Sequence, residues 1–116
     1  MESISQSTPD SSVQTSDAAA AFAALGSDVR LSILKALVRA GPDGMAVGAI
    51  QHSLGIAAST LSHHLRALSD AGVLIQRRDG RVLNCHADYD RISALAAFLI
   101  AECCADADPT SEDTDT

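Results

Sequence analysis

Residues 55–85 read GIAASTLSHHLRALSDAGVLIQRRDGRVLNC, and the hydrophobic period changes partway along them. Leu61, Leu65 and Leu68 stand at i, i+4 and i+7, the spacing of a helix with one apolar face, and Gly72 supplies its stop. This helix is predicted to begin near Ala57 to Ser59 and to end at about Ala71. Beyond it, Val73 to Gln76 and Val82 to Cys85 read as strands on either side of Arg77-Arg78-Asp79-Gly80-Arg81, where Asp-Gly is a strong hairpin-turn signal. Just upstream, Val47, Ile50 and Leu54 recur at helical spacing and Gly55 closes a shorter helix. Two helices across the tight Gly55-Ile56 turn, followed by a basic hairpin, make a winged helix-turn-helix, which can set its second helix in a DNA major groove.

Working outward, Asp17 before the Ala-rich run to Leu25, with Gly26 after it, predicts a short first helix with an acidic cap. Ser27 reads as the cap of a helix over Asp28 to Ala40, which carries Val29, Leu31, Ile33, Leu34, Leu37 and Val38 and stops at Gly41-Pro42. On the other side, Asp90 starts a helix through Cys104 with a wide stripe of Ile92, Leu95, Phe98, Leu99 and Ile100. The expected fold is mainly α with a β-hairpin wing, about five helices and two strands. With an aromatic share of 3%, limited to Phe22, Tyr89 and Phe98, its core must be aliphatic.

The chain of 116 residues is sized for one domain, and its formal charge of −7 would argue against nucleic acid if it were spread evenly. It is not. All eight Arg and Lys residues lie between positions 18 and 104 against seven acids, so that stretch carries a net +1. The other acids fall in Ser-, Thr- and Asp-rich ends, which divides the chain into a disordered acidic tail (1–17), a DNA-binding and dimerisation domain (18–104) and a second acidic tail (105–116). No apolar run approaches a membrane span and the acidic start lacks a signal-peptide pattern, so a cytoplasmic protein with no membrane partner is expected.

On a helical wheel Ser59, Ser62, His63 and Arg66 lie roughly opposite the three leucines and form the candidate reading surface. The hydroxyls of Ser59, Thr60 and Ser62 can reach phosphates or bases, and Arg66 can bind a guanine edge bidentately or clamp a phosphate. Arg77, Arg78 and Arg81 suit phosphate or minor-groove contact at the tip of the wing. The neighbours His63 and His64 point about 100° apart, with His64 on the leucine side, which suits a packing residue with a satisfied ring nitrogen beside a DNA-facing one better than a metal pair. No nucleophile-base-acid set, phosphate-binding glycine loop or catalytic metal motif is present, so an enzyme is not expected and no cofactor is required.

Ala24-Leu25-Gly26-Ser27-Asp28-Val29-Arg30-Leu31-Ser32-Ile33-Leu34, Ser62-His63-His64-Leu65-Arg66-Ala67-Leu68 and Ala71-Gly72-Val73-Leu74 resemble three motifs of the ArsR/SmtB family of transcriptional repressors, over about residues 18 to 104. The resemblance implies a homodimer joined through its first and last helices, binding double-stranded operator DNA until an inducer releases it. In the segment where the family often carries a thiolate, this chain has Gly44-Met45-Ala46-Val47-Gly48-Ala49-Ile50. Asp88 and Glu102 suit the family's zinc site on the last helix, but its late histidine is missing.

Three cysteines remain, Cys85 on the wing and the vicinal pair Cys103 and Cys104, and the pair resembles that of arsenical-responsive members. Soft thiolates suit trivalent arsenic, an organic arsenical or antimony and disfavour hard cations. A helix from Arg91 to Cys104 spans roughly 20 Å, so Cys85 cannot readily meet the pair within one subunit. It could join the partner's pair if, as the resemblance implies, the last helices pack antiparallel. A thiol redox or persulfide switch on the same scaffold, and a constitutive DNA-binding or protein-interaction module, are the alternatives.

Overall fold

The computed structural model describes residues 13–107. Five helices and three short strands appear among them: α1 (Thr15–Ala24), α2 (Asp28–Ala40), β1 (Met45–Ala46), α3 (Val47–Leu54), α4 (Ala58–Asp70), β2 (Leu74–Asp79), β3 (Val82–Ala87) and α5 (Tyr89–Ile100). The predicted tails fall mostly outside the described residues, at 1–12 and 108–116.

The helices follow from their caps and apolar faces. In α1 the small side chains Ala18, Ala21 and Ala24 are buried along one stripe. This helix starts earlier than the sequence suggested: Gln14 holds the cap position, and Asp17 lies in the first turn, where its charge meets the positive end of the helix dipole. Helix α2 begins as expected, with Ser27 Oγ accepting the Arg30 backbone N–H at 3.3 Å, and it buries Ile33, Leu34 and Leu37. Helix α4 buries Leu61, Leu65 and Leu68, the triad that set its period. Between α3 and α4 only Gly55, Ile56 and Ala57 intervene, which forces the two helices into a helix-turn-helix.

The strands depart most from expectation. The wing is longer than predicted: β2 and β3 pair antiparallel from Leu74 with Ala87 to Asp79 with Val82, leaving Gly80 and Arg81 as the loop. The turn is therefore centred on Gly-Arg and not on Asp-Gly. Gly80, at φ 66°, takes the first central position of a two-residue loop, where positive φ matches the twist of the strands. Arg77 and Arg78 consequently lie on the strand, on alternate faces, and only Arg81 is in the turn.

A third strand was not anticipated. Met45 and Ala46 pair with Cys85 and Asn84, giving the order β1-β3-β2. The preceding Gly44, at φ 70°, makes this approach possible, because a Cβ there would run into the Cys85 carbonyl and the His86 ring. His86 Nδ1 lies 3.1 Å from the Pro42 carbonyl and ties the same loop to the sheet.

Helix α5 opens on Asp88, whose Oδ1 accepts the Arg91 N–H at 3.0 Å, and it ends at Ile100, short of the predicted Cys104. Residues 101–107 continue in turns, with Cys103 N–H donating to the Ile100 carbonyl and Ala105 N–H to that of Glu102. The core is aliphatic, as the composition requires: Ile33, Leu37, Ile50, Leu61, Leu68 and Val73 are fully buried, together with Cys85. No helix among the described residues is long and apolar enough to cross a membrane.

Candidate nucleic-acid interface

The leucine face of α4 anchors the helix to the core, so its opposite face turns outward. Ser59, Thr60, Ser62, His63 and Arg66 are all exposed. Between α4 and the wing runs a groove of about 400 Å³, into which the structure brings Ser59, Ser62, His63 and Arg66 beside Gln76 and Leu83 of the sheet. Thr60 is exposed on the same helix but does not line the groove. Hydroxyls, an imidazole and a guanidinium around a shallow apolar floor can donate to and accept from base edges and phosphates.

Arg77, Arg78 and Arg81 are exposed on the wing. Strand alternation places Arg78 on the same face as Gln76, and its cross-strand partner is Leu83, another groove residue. Arg77 projects from the opposite face. Gln76 was not singled out in the sequence, where its polar amide reads as ordinary strand surface; its role in the groove follows from the cross-strand pairing with Cys85.

His64 is half-buried, and its Nδ1 accepts the Nε–H of Arg30 at 3.1 Å across the gap to α2. Burial, the Arg30 charge and His63 together hold its pKa below 6.5, the ordinary histidine value. The His63 and His64 ring centroids stand 5.7 Å apart at 58°. With Nδ1 engaged by a guanidinium, His64 is a packing residue with a satisfied ring nitrogen. Among the described residues no group of three or more His, Cys, Asp and Glu side chains is arranged to hold a metal ion.

The cysteines divide sharply. Cys85 is 0% exposed; burial pushes its thiol pKa up, and the Gln76 amide, 3.9 Å away, only partly opposes this. Cys103 and Cys104 are exposed, with their Sγ atoms 3.5 Å apart. Cys104 is also the sole non-glycine residue with positive φ among those described, at 61°, so the chain turns left-handed at the pair. Within one chain Cys85 is not brought to these two.

Comparison with known proteins agrees with this architecture. A family model described as a helix-turn-helix domain matches residues 25–77, the span from the end of α1 into the wing. The nodulation protein NolR of Rhizobium meliloti is 32% identical over 100 residues, covering 85% of this chain and 80% of that protein. The solution structure of a homodimeric winged helix-turn-helix DNA-binding domain from Mycobacterium bovis, a possible ArsR-family transcriptional regulator, is 31% identical over 75% of this chain and 81% of that one, with a TM-score of 0.60. An ArsR-like transcriptional regulator from Rhodococcus sp. RHA1 shares the fold at a TM-score of 0.68 and 22% identity, over 85% of this chain and 90% of that chain. With its helix-turn-helix and its wing, the chain belongs to the ArsR family of winged helix-turn-helix, DNA-binding transcriptional regulators.

Proposed function

We propose that this regulator is a homodimeric repressor, released from its operator when a thiophilic inducer binds Cys103 and Cys104. Trivalent arsenic or an organic arsenical is the best match, and antimony has the same chemistry. The observation that carries this reading is the pair of exposed thiols 3.5 Å apart on a left-handed turn. Such a conformation costs a non-glycine residue of order 1 kcal/mol or more. If each sulfur bonds a shared centre at about 2.3 Å, the length typical of metal–thiolate bonds, a 3.5 Å separation subtends an angle near 100°. That angle suits a pyramidal three-coordinate centre with a lone pair, and two thiolates suffice for a singly substituted organic arsenical.

The position of the pair supports coupling to DNA. Phe22 on α1 and Leu99 and Ile100 on α5 are exposed, the last two at 65%, and these two helices are the ones the family resemblance assigns to the dimer interface. The Mycobacterium bovis relative is itself homodimeric. An inducer held just past α5 would then act on the contact that sets the spacing of the two reading heads. A site that also used the partner's Cys85 would have to open the core around a buried thiol, which favours the vicinal pair alone.

A redox switch at the same pair is disfavoured, because adjacent Cα atoms are about 3.8 Å apart while disulfides usually need about 4.4 Å or more. The test is release of labelled operator DNA by arsenite and by phenylarsine. It should be lost in Cys103→Ser and Cys104→Ser and kept in Cys85→Ser. Release by polysulfide or peroxide but by neither arsenical would replace this reading with the redox one, and operator binding unmoved by every thiol reagent would leave a constitutive regulator.

A further inference from the structure

The bond between Arg30 and His64 is the one hydrogen bond joining the side chains of two helices among the described residues, and it spans 34 positions in sequence. Its base is fixed. Arg30 sits in the first turn of α2, with its backbone N–H held by the Ser27 side chain. Its far end is the recognition helix: His64 lies next to His63, which lines the reading groove, and two residues before Arg66. The buried leucines Leu61, Leu65 and Leu68 hold one face of α4 against the core, and the Arg30 bond meets the helix beside that face, next to the groove residues. To the non-directional apolar packing it adds one directed contact whose geometry depends on both partners.

The chemistry of the bond makes it depend on one proton. Arg has donors only and stays charged, so Nδ1 of His64 can accept from it only when that nitrogen carries no hydrogen. A neutral ring with its proton on Nε2 meets this condition. Protonation of Nδ1 would set two donors and two positive charges 3.1 Å apart. We propose that Arg30 is a positioning residue for DNA reading, and that its bond to His64 is a proton-sensitive clasp that orients the recognition helix when His64 is neutral and opens when it is protonated.

The surrounding charges favour this behaviour. The groups acting on His64 are Arg30 of α2 and His63 of its own helix, both of which oppose a second positive charge. The remaining ionisable side chains of the packed elements, Asp17 of α1, Asp28, Lys35 and Arg39 of α2, His52 of α3 and Arg77, Arg78 and Asp79 of β2, are all exposed. Because the folded-state pKa of His64 lies below the ordinary 6.5, the clasp is complete above that pH and is lost as the pH falls through the lowered value.

The test measures operator affinity of the full chain at constant ionic strength from about pH 8 to about pH 5, for the wild type and for His64→Asn, whose Oδ1 stands where Nδ1 accepts from Arg30 but does not titrate. The ratio of wild-type to variant affinity is the readout. That ratio should fall about threefold or more toward the acid end. A ratio constant across the range overturns the clasp. Nuclear magnetic resonance of the His64 ring supplies the second arm and needs no variant. A wild-type midpoint below 6.5 with hydrogen on Nε2 supports the proposal, whereas a midpoint at or above 6.5, or hydrogen on Nδ1, overturns it. In Arg30→Ala the midpoint should rise toward 6.5, and an unchanged midpoint would also count against it.

Discussion

The reading head and the far end of α5 are built on opposite terms. In the head, α4 is pinned by three buried leucines and by the Arg30 bond, and the sheet beneath it encloses Cys85 completely. At the end of α5 and just past it, Leu99, Ile100, Cys103 and Cys104 are all exposed. The same side chain, cysteine, is therefore a small hydrophobe in one region and an exposed thiol in the other. Chemical type sets what a thiol can do, and placement decides whether it does so: a buried thiol with a raised pKa forms little thiolate, the species that binds soft centres.

Substitutions in the two regions should separate stability from function. The largest effect is expected for Leu61→Ala in the head. Truncating this fully buried side chain should cost about 2–5 kcal/mol in urea denaturation and take DNA binding with it. Arg66→Ala, on the exposed face of the same helix, should leave the melting temperature unchanged and weaken specific binding by about 1–3 kcal/mol if the residue reads a base. Changing Arg77, Arg78 and Arg81 together to Ala should weaken binding to all DNA sequences alike and flatten the salt dependence by about one unit for each phosphate these arginines neutralise. Wild-type binding by this triple variant at every salt concentration would remove the wing from the interface.

Smaller effects discriminate between the cysteines. Cys85→Ser places a hydroxyl in the core and should cost about 1–3 kcal/mol. Cys103→Ser or Cys104→Ser should change stability by less than about 0.5 kcal/mol. Equal costs at the three positions would erase the contrast between the regions.

Local signals in the sequence were strongest where a single segment decides its own structure. The cap Ser27 and the stop Gly41-Pro42 bracket α2 at its observed limits, and the leucine spacing of α4 gave both its existence and its buried face. What escaped depends on distant partners. Met45-Ala46 is a strand only because β3 lies beside it, and the polar run Arg77-Arg78-Asp79 is strand because it pairs with Val82 to Asn84. The run from Ala101 to Cys104 contains no stop signal, so the end of α5 could not be read from it. In the candidate site, the exposed face of α4 opposite its leucines was legible from its periodicity. Gln76 and the Arg30 bond were not, since one comes from strand register and the other from a contact across 34 positions.

The central claim joins the two regions: an event at the exposed thiol pair changes what the firmly anchored head does on DNA. It is tested most directly by titrating phenylarsine into the protein on labelled operator and following release by fluorescence anisotropy. Wild type and Cys85→Ser should release DNA at about one equivalent per subunit, while Cys103→Ser/Cys104→Ser stays bound at excess reagent. Release of the double variant at the same concentration, or retention by the wild type, would contradict the account.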